Sequence, residues 1–221
     1  MKWLFTGACL LSMLVACKAK EEGQAPASEP ASVAAQVPAQ VPQGAEAAAH
    51  ETLGAGQGAV DASLYDLELK LTDQHGKAIA LDEFRGHPVV ISMFYATCPF
   101  ACPTLIRDIK RFERSLDEAS RAKLRVLLVS IDPERDTPQV LMELAERHQL
   151  DSKRYRLATA PDSDVRALAA ALGFKYRKLE GGAFNHSSLI TLLDARGFPQ
   201  ARVDGLNQPL EALTARVRAM P

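Results

Sequence analysis

Runs of apolar positions and stretches of mixed polarity alternate along the chain from residue 64 onward. Three runs rich in apolar and β-branched residues predict buried strands at 88–96, 124–131 and 188–194. Helices are predicted at 103–120, with one apolar face, and at 138–148, where Thr137 and Pro138 form a start signal. Further elements are expected as a strand over 155–160, a helix over 162–172 that stops at Gly173, and a last helix over 209–219.

The first part of this region has a different pattern. Residues 64–81 alternate in polarity and contain the turn signal His75-Gly76, which predicts an N-terminal β-hairpin. Arg196-Gly197 predicts a turn into a short segment at 199–203. Strands that alternate with helices indicate an α/β domain over 61–221, with a central mixed β-sheet flanked by helices.

The N-terminus has the features of an export signal. Lys2 is followed by an apolar run from Trp3 to Ala16, whose length of about 21 Å is short of the ~30 Å hydrocarbon core of a membrane. Leu14-Val15-Ala16-Cys17 resembles the bacterial lipobox, which implies a lipoprotein signal peptide over 1–16 and lipidation of Cys17. The alternatives are an ordinary signal peptide with an incidental Cys17, or a permanent transmembrane helix.

Residues 17–60 are rich in Ala, Pro and Gln and have few large apolar side chains. Such a composition predicts a disordered tether between a lipid anchor and the folded domain. The anchor would hold the domain on the periplasmic side of a bacterial membrane. Lys18 follows the anchored cysteine where Asp would favour retention at the inner membrane, so the outer membrane is favoured.

Charge and cysteine content narrow the function. The net charge is -1, so the basic excess typical of nucleic-acid binding is lacking and no nucleic-acid partner is expected. Four cysteines are present, of which Cys9 lies in the signal and Cys17 would carry lipid. The folded domain therefore keeps only Cys98 and Cys102 as thiols.

Cys98 and Cys102 are four residues apart, at the passage from a buried strand into a helix. The positive end of a helix favours a thiolate over a thiol. Side chains at i and i+4 share one helix face, so the pair is suited either to a soft metal ion or to a disulfide. A structural disulfide is the simplest alternative, but such a short loop gains little stability from closure.

Three segments resemble the signatures of the Sco (SenC) family of copper-delivery proteins. They are FYATCPFACPTL (94–105), VSIDPERDTP (129–138) and FNHSSLITLLDARG (184–197). The resemblance implies a thioredoxin-like fold in which Cys98, Cys102 and His186 bind Cu(I) or Cu(II). It also implies a copper acceptor protein as partner, such as the cytochrome c oxidase subunit that holds the dinuclear copper centre. Two thiolates suit Cu(I), and an imidazole also accommodates Cu(II).

His186 differs from the other histidines by preceding the third buried strand, where thioredoxin-like enzymes usually carry a proline. The remaining four, His50, His75, His87 and His148, are expected to be solvated.

Several residues around the motifs have open roles. Asp132 follows a buried strand and either orients a ligand, holds positive charge near the site, or caps the turn before Pro133. Asp136 is expected to start a helix. Three aromatic residues near the cysteines, Phe94, Tyr95 and Phe100, could shield the copper from water. For Phe94, packing in the core is favoured.

A copper chaperone, not an enzyme, is the leading hypothesis for the function. The alternative is a periplasmic thiol–disulfide oxidoreductase that keeps the cysteines of the acceptor reduced, since a pair that binds metal when reduced can also exchange disulfides. A third possibility is a copper-responsive redox sensor or thiol peroxidase. The C-x-x-x-C spacing argues against ordinary thioredoxin chemistry, which favours C-x-x-C.

Overall fold

The structure is a computed structural model that describes residues 62–220. The predicted signal peptide, Cys17 and the tether lie outside the described residues. Within 62–220, none of the helices combines the length and the apolar character that a membrane crossing requires.

A seven-stranded mixed sheet forms the centre of the domain, in the order β2-β1-β5-β4-β3-β8-β9. Strands β3, β4 and β5 are mutually parallel, and β1, β8 and β9 join by antiparallel pairing. The strands of this sheet are β1 Leu71–Asp73, β2 Ala78–Ile79, β3 Val89–Phe94, β4 Arg125–Ser130, β5 Tyr155–Thr159, β8 Leu189–Leu193 and β9 Pro199–Asp204. A separate antiparallel pair consists of β6 Tyr176–Lys178 and β7 Phe184–His186.

In the part of the chain that the structure describes, five α-helices accompany the sheet, with 3-10 turns at Leu64–Asp66 and Leu81–Phe84. The helices are α1 Ala101–Ser115, α2 Glu118–Lys123, α3 Pro138–Arg147, α4 Asp162–Leu172 and α5 Glu211–Arg218. Helix α3 packs on β1 and β5, and α5 packs on α1 and β9. The predicted mixed sheet flanked by helices is therefore confirmed, as is the hairpin formed by β1 and β2.

The central strands form where the sequence is uniformly apolar. All six residues of β3 and all five of β8 are buried, because both faces of the middle of the sheet are covered. Helix α3 begins as predicted, with the Thr137 side chain accepting the N–H of Val140 and Pro138 in the first turn. Helix α4 ends at Gly173, whose φ of +65° lies in the left-handed region.

Two expectations about local structure were wrong. The helix predicted at 103–120 is two helices, because Asp117 accepts the N–H of Ser120 and caps a new helix, α2. The second concerns 176–186, where no strand was predicted: β6 and β7 form a hairpin around Gly181 and Gly182. As a result, His186 lies on a strand instead of a loop.

The order of the strands brings three loops to one edge of the sheet. Since β3 and β4 are parallel, the loops that follow them, 95–100 and 131–137, emerge at the same edge. Strand β8 runs antiparallel to β3, so the residues that precede it lie at that edge too. The three segments noted in the sequence thus meet at one place.

Candidate metal centre

The loop from β3 to α1 brings the two cysteines together. The N–H of Cys98 bonds to the carbonyl of Tyr95 at 3.2 Å, which turns the chain, and Cys102 lies in the first turn of α1. The Cys98 sulfur accepts the N–H of Cys102 at 3.4 Å, and the Cys102 sulfur accepts the N–H of Tyr95 at 3.5 Å. Both thiols are free and buried.

The third member of the cluster is His186, at the end of β7. A sulfur of each cysteine and a ring nitrogen of His186 all lie within 4.8 Å of one another. The Nδ1 atom of His186 is 2.5 Å from the carbonyl oxygen of Ser187. Since a carbonyl can only accept, Nδ1 donates in this contact, which leaves Nε2 either to donate to the Cys98 sulfur or, without its hydrogen, to bind a metal ion.

Aromatic rings hold the imidazole of His186 in place. Phe174 stacks on it with 5.9 Å between centroids, and Tyr95 meets it edge-on at 5.5 Å. Phe184 packs against Tyr95 at 5.2 Å. These contacts fix the plane of the ring from two sides, which reduces the entropy lost when it binds a metal ion.

The two thiols have very different acidities. Burial raises the pKa of Cys98, but hydrogen bonding with the Cys102 N–H, the His186 imidazole and the Phe100 N–H outweighs burial and lowers this pKa from 9.0 to about 7. For Cys102, burial dominates and raises the pKa well above its usual range, with the nearby Cys98 sulfur adding to the effect. At neutral pH Cys98 is therefore a thiolate in about half of the reduced molecules, while Cys102 remains a thiol.

The loop after β4 supports the cysteine loop through Asp136. One carboxylate oxygen, Oδ2, accepts the N–H of Ala96 at 2.8 Å and the hydroxyl of Ser130 at 2.5 Å. The other oxygen, Oδ1, is buried and accepts no hydrogen bond within the described residues. Asp136 was expected to start a helix, and this was wrong: Thr137 caps α3, while Asp136 ties two loops together below the cysteines.

Asp132 links the same loop to the hairpin that carries His186. Its buried carboxylate pairs with the guanidinium of Arg135, which also donates to the carbonyl of Gly182 in the hairpin turn. On the exposed side, Lys178 of β6 pairs with Glu134. The Asp132 carboxylate therefore holds the guanidinium of Arg135, and the role of Asp132 at the metal centre stays a prediction.

The three aromatic side chains considered as shields for the copper have different environments. Phe94 is fully buried in the core, as favoured. Tyr95 is buried against the His186 ring. The prediction was wrong for Phe100, because its side chain is 81% exposed and points to solvent instead of covering the cysteines.

Sequence reasoning did not find Phe174, Phe184 or Arg135. Ring-bearing residues stand at even positions on both sides of Gly181-Gly182: Tyr176 before the glycines, and Phe184 and His186 after them. This spacing of two is typical of strands. This alternation could have predicted the hairpin, and with it a paired position for His186. Nothing local to Arg135 indicates its contact with Gly182, which is 47 residues away.

The cluster offers two sulfurs and one imidazole nitrogen. This donor set suits soft or borderline metal ions, and it matches Cu(I) through the sulfurs while the imidazole also accommodates Cu(II). The fold and the cluster together define a thioredoxin-like domain with a buried two-cysteine, one-histidine centre.

Comparison with known proteins agrees with this class. The family model described as SCO1/SenC matches residues 58–220, and the chain belongs to that family. The SCO2-like protein RT0576 of Rickettsia typhi is 25% identical over 134 residues, which are 58% of this chain and 64% of that protein.

Two solved structures of similar fold are of proteins described as Sco proteins. A SCO1/SenC family lipoprotein from Bacillus anthracis has a TM-score of 0.64 at 21% identity, covering 73% of this chain and 99% of that one. Bradyrhizobium japonicum ScoI with copper bound has a TM-score of 0.59 at 24% identity, covering 69% of this chain and 97% of that one. The predicted thioredoxin-like fold and the resemblance to the Sco family are confirmed.

Proposed function

We propose that this protein is a copper chaperone that binds one copper ion through Cys98, Cys102 and His186 and hands it to an acceptor protein. The observation that carries the proposal is the cluster itself, three soft or borderline donors within 4.8 Å of one another. Membership of the SCO1/SenC family and the copper-bound structure of Bradyrhizobium ScoI support copper as the cargo. The acceptor we propose is the subunit of cytochrome c oxidase that holds the dinuclear copper centre.

Capture of copper begins at Cys98, which is a thiolate in about half of the molecules at neutral pH because its pKa is about 7. Binding of the cation then displaces the proton of Cys102, since a metal ligand must be deprotonated. The His186 ring needs no reorientation, because Phe174 and Tyr95 hold it and Ser187 fixes its tautomer. Cu(I) is bound mainly by the two thiolates, and His186 is required for Cu(II).

Release follows from the low coordination number. A site with three protein ligands leaves room for a thiolate or imidazole of the acceptor to bind the same ion before the first ligand departs. Cys102 regains its proton readily on release, because burial makes its thiol form the stable one. Net transfer moves one copper ion and changes no oxidation state, so the protein is proposed to act as a carrier and not as an enzyme.

The proposed setting is the periplasmic side of a bacterial membrane, with Cys17 lipidated and residues 17–60 as the tether. The lipobox-like segment ending at Cys17 supports this, and the Bacillus anthracis relative is described as a lipoprotein. Lys18 favours the outer membrane over the inner one. The test is metabolic labelling with a fatty acid analogue, in which Cys17→Ala should abolish incorporation.

Copper binding to the purified protein tests the main proposal. We expect one copper ion per chain, a Cu(I) affinity that His186→Ala lowers without abolishing, and Cu(II) binding that the same variant largely loses. His75→Ala is the matched control, because His75 is exposed in the β1–β2 turn and far from the cluster in the chain. Tight binding of one copper ion by a Cys98→Ser, Cys102→Ser double variant would contradict the proposed centre.

Thiol–disulfide exchange is the second candidate function, and the unequal acidity of the two thiols favours it. The Cys98 thiolate would attack a disulfide of the acceptor and form a mixed disulfide. Cys102, after losing its proton, would attack the Cys98 sulfur, which releases the reduced acceptor and leaves a Cys98–Cys102 disulfide. Two electrons pass from the pair to the acceptor, so an external reductant of the thiol class must restore the pair.

The two candidates differ in which variant stops them. His186→Ala should leave disulfide exchange largely intact while it removes Cu(II) binding. Turnover of a disulfide-bonded acceptor peptide well above the rate with free dithiothreitol would support the redox function. Exchange no faster than with the free dithiol would contradict the redox function and leave the chaperone function as the remaining candidate.

A further inference from the structure

A groove runs beside the metal centre, between α1 and α3, with a volume of about 360 Å³. The cysteines lie at one end, and Arg147 and His148 at the other. Between these ends, the walls consist mainly of apolar side chains, namely Pro103, Ile106 and Leu144. A partner that occupied this groove would therefore lie directly against the two sulfur ligands.

Phe100 extends the apolar surface beyond the groove. Only Phe100 and Leu179 are exposed large apolar residues among those described, and Phe100 is the more exposed at 81%. Burial of a phenylalanine side chain is favourable, so leaving it in water has a cost that a partner would remove. Its position between Cys98 and Cys102 places that exposed ring at the metal centre, where protein interfaces concentrate aromatic residues.

Three cations lie beside the groove, and none of them has a carboxylate partner among the described residues. Arg107 donates to the hydroxyl of Thr104 at 3.1 Å, and Lys110 donates to the carbonyl of His148 at 2.8 Å. Neither these two nor Arg147 forms an ion pair within residues 62–220.

The pKa of His148, which also lines the groove, is affected by two of the same positive charges. Burial lowers the pKa of His148 first, and the charges of Arg147 and Lys110 lower it further. The two carboxylates of α3, Glu143 and Glu146, pair with none of the three cations within the described residues. The far end of the groove is therefore electropositive, and an anionic occupant would be attracted to it.

We propose that this groove, together with Phe100, is the docking surface for an acidic, partly apolar segment of the copper acceptor. The inference rests on the proposed chaperone function and adds the chemistry of the partner. Acidic side chains of the segment face Arg107, Lys110 and Arg147, while an apolar side chain lies between Ile106 and Leu144. The copper ligands of the acceptor then approach Cys98 and Cys102 from the open side, where ligand exchange takes place.

Copper transfer to two synthetic peptides tests the proposal with the full chain. Both peptides carry the same two cysteines and the same leucine, but glutamates flank them in one and lysines in the other. The readout is the second-order rate constant for Cu(I) transfer, obtained by separating protein from peptide by size at set times and measuring the copper in each fraction. We expect transfer to the acidic peptide to be about tenfold faster at low salt, with the difference shrinking as salt screens the charges.

Charge reversal supplies the decisive comparison. The Arg107→Glu, Arg147→Glu double variant should reverse the preference between the peptides, with copper stoichiometry and affinity unchanged. The control is Arg114→Glu with Arg216→Glu, the same charge change made away from the groove, since Arg114 lies about 18 Å along α1 from Cys102 and Arg216 lies on α5. This control should keep the preference for the acidic peptide.

Phe100→Ala should slow transfer to both peptides alike, because it removes apolar contact and not charge. Equal rates for the two peptides in the parent protein, or an unchanged preference in the Arg107→Glu, Arg147→Glu variant, would overturn the docking surface. Copper loading is measured before transfer begins. A parent protein that binds no copper contradicts the chaperone function itself, whereas a loaded protein that transfers without preference contradicts only the docking surface.

Discussion

The carboxylate of Asp136 accepts the backbone N–H of Ala96 at 2.8 Å, and this contact joins the loop after β4 to the loop that carries Cys98. The same oxygen accepts the hydroxyl of Ser130, so one buried acid organises three backbone segments. Because Ser130 is fully buried, its hydroxyl has no water as an alternative partner. The position of the cysteines therefore depends on a residue that binds no metal.

Replacement of Asp136 should destabilise the protein. Asp136→Ala leaves the Ala96 N–H and the Ser130 hydroxyl without their acceptor, and we expect the free energy of unfolding to fall by about 2–4 kcal/mol. Asp136→Asn keeps one oxygen acceptor and should lose only about 1 kcal/mol. Urea denaturation of the reduced proteins measures both values. Equal losses in the two variants would show that the acceptor oxygen is not what matters.

The same residue should make stability depend on pH. Burial raises the pKa of Asp136 above its model-peptide value of 3.8. A raised pKa in the folded state means that the folded protein holds the proton more tightly, so its contribution to stability is complete below 3.8. That contribution is lost as the pH rises through the folded-state pKa. Asp136→Asn should flatten this part of the curve of unfolding free energy against pH.

The acidity of Cys98 predicts a selective reaction. Since its pKa is about 7 and that of Cys102 is far higher, iodoacetamide should alkylate Cys98 first, with a rate that rises through a midpoint near pH 7. His186→Ala should move this midpoint upward, because one of the interactions that stabilise the thiolate is lost. Mass spectrometry of the alkylated peptide identifies the residue. Modification of Cys102 before Cys98 would contradict the assignment.

Much of the fold could be predicted because its signals are local. Thr137-Pro138 predicts the start of α3 by a cap and a fixed backbone angle, and the apolar run at 88–96 predicts β3 by burial alone. The cysteines were assigned to the strand-to-helix passage for the same reason. Each of these depends on neighbours within a few residues.

The parts of the fold and of the site that could not be predicted depend on contacts between segments distant in the sequence. Asp136 directly precedes the residue that caps α3, so nearby residues suggest that it belongs to the start of that helix. Its actual partner, Ala96, is 40 residues away and cannot be inferred from the local sequence. The hairpin of β6 and β7 was missed because each of its strands has only three residues, and because Phe184 is held by Tyr95, which lies far away in the chain. The order of the strands determines these contacts, and local patterning does not report that order.

Arg135 should control copper affinity without touching copper. Its guanidinium bridges the Asp132 carboxylate and the Gly182 carbonyl, so Arg135→Ala should release the hairpin that positions His186. We expect Cu(II) affinity to fall by about tenfold or more, as for other residues that orient metal ligands, and Cu(I) affinity to change less. Competition with a chelator measures both affinities. Arg177→Ala is the control, since Arg177 is exposed on the same hairpin and forms no ion pair within the described residues.

Two adjacent glycines make it possible to test the contact between Arg135 and Gly182 separately from the strain of the turn. Gly181 and Gly182 have φ angles of +85° and +82°, so alanine at either position should cost about 1–2 kcal/mol of backbone strain. A Cβ on residue 181 would meet nothing within 4 Å, whereas a Cβ on residue 182 would lie 3.0 Å from Nη1 of Arg135. Both variants should therefore lose similar stability in urea denaturation. Only Gly182→Ala should also weaken Cu(II) binding, because it displaces the guanidinium that holds the hairpin. Equal Cu(II) affinities in the two variants would show that Arg135 does not position His186.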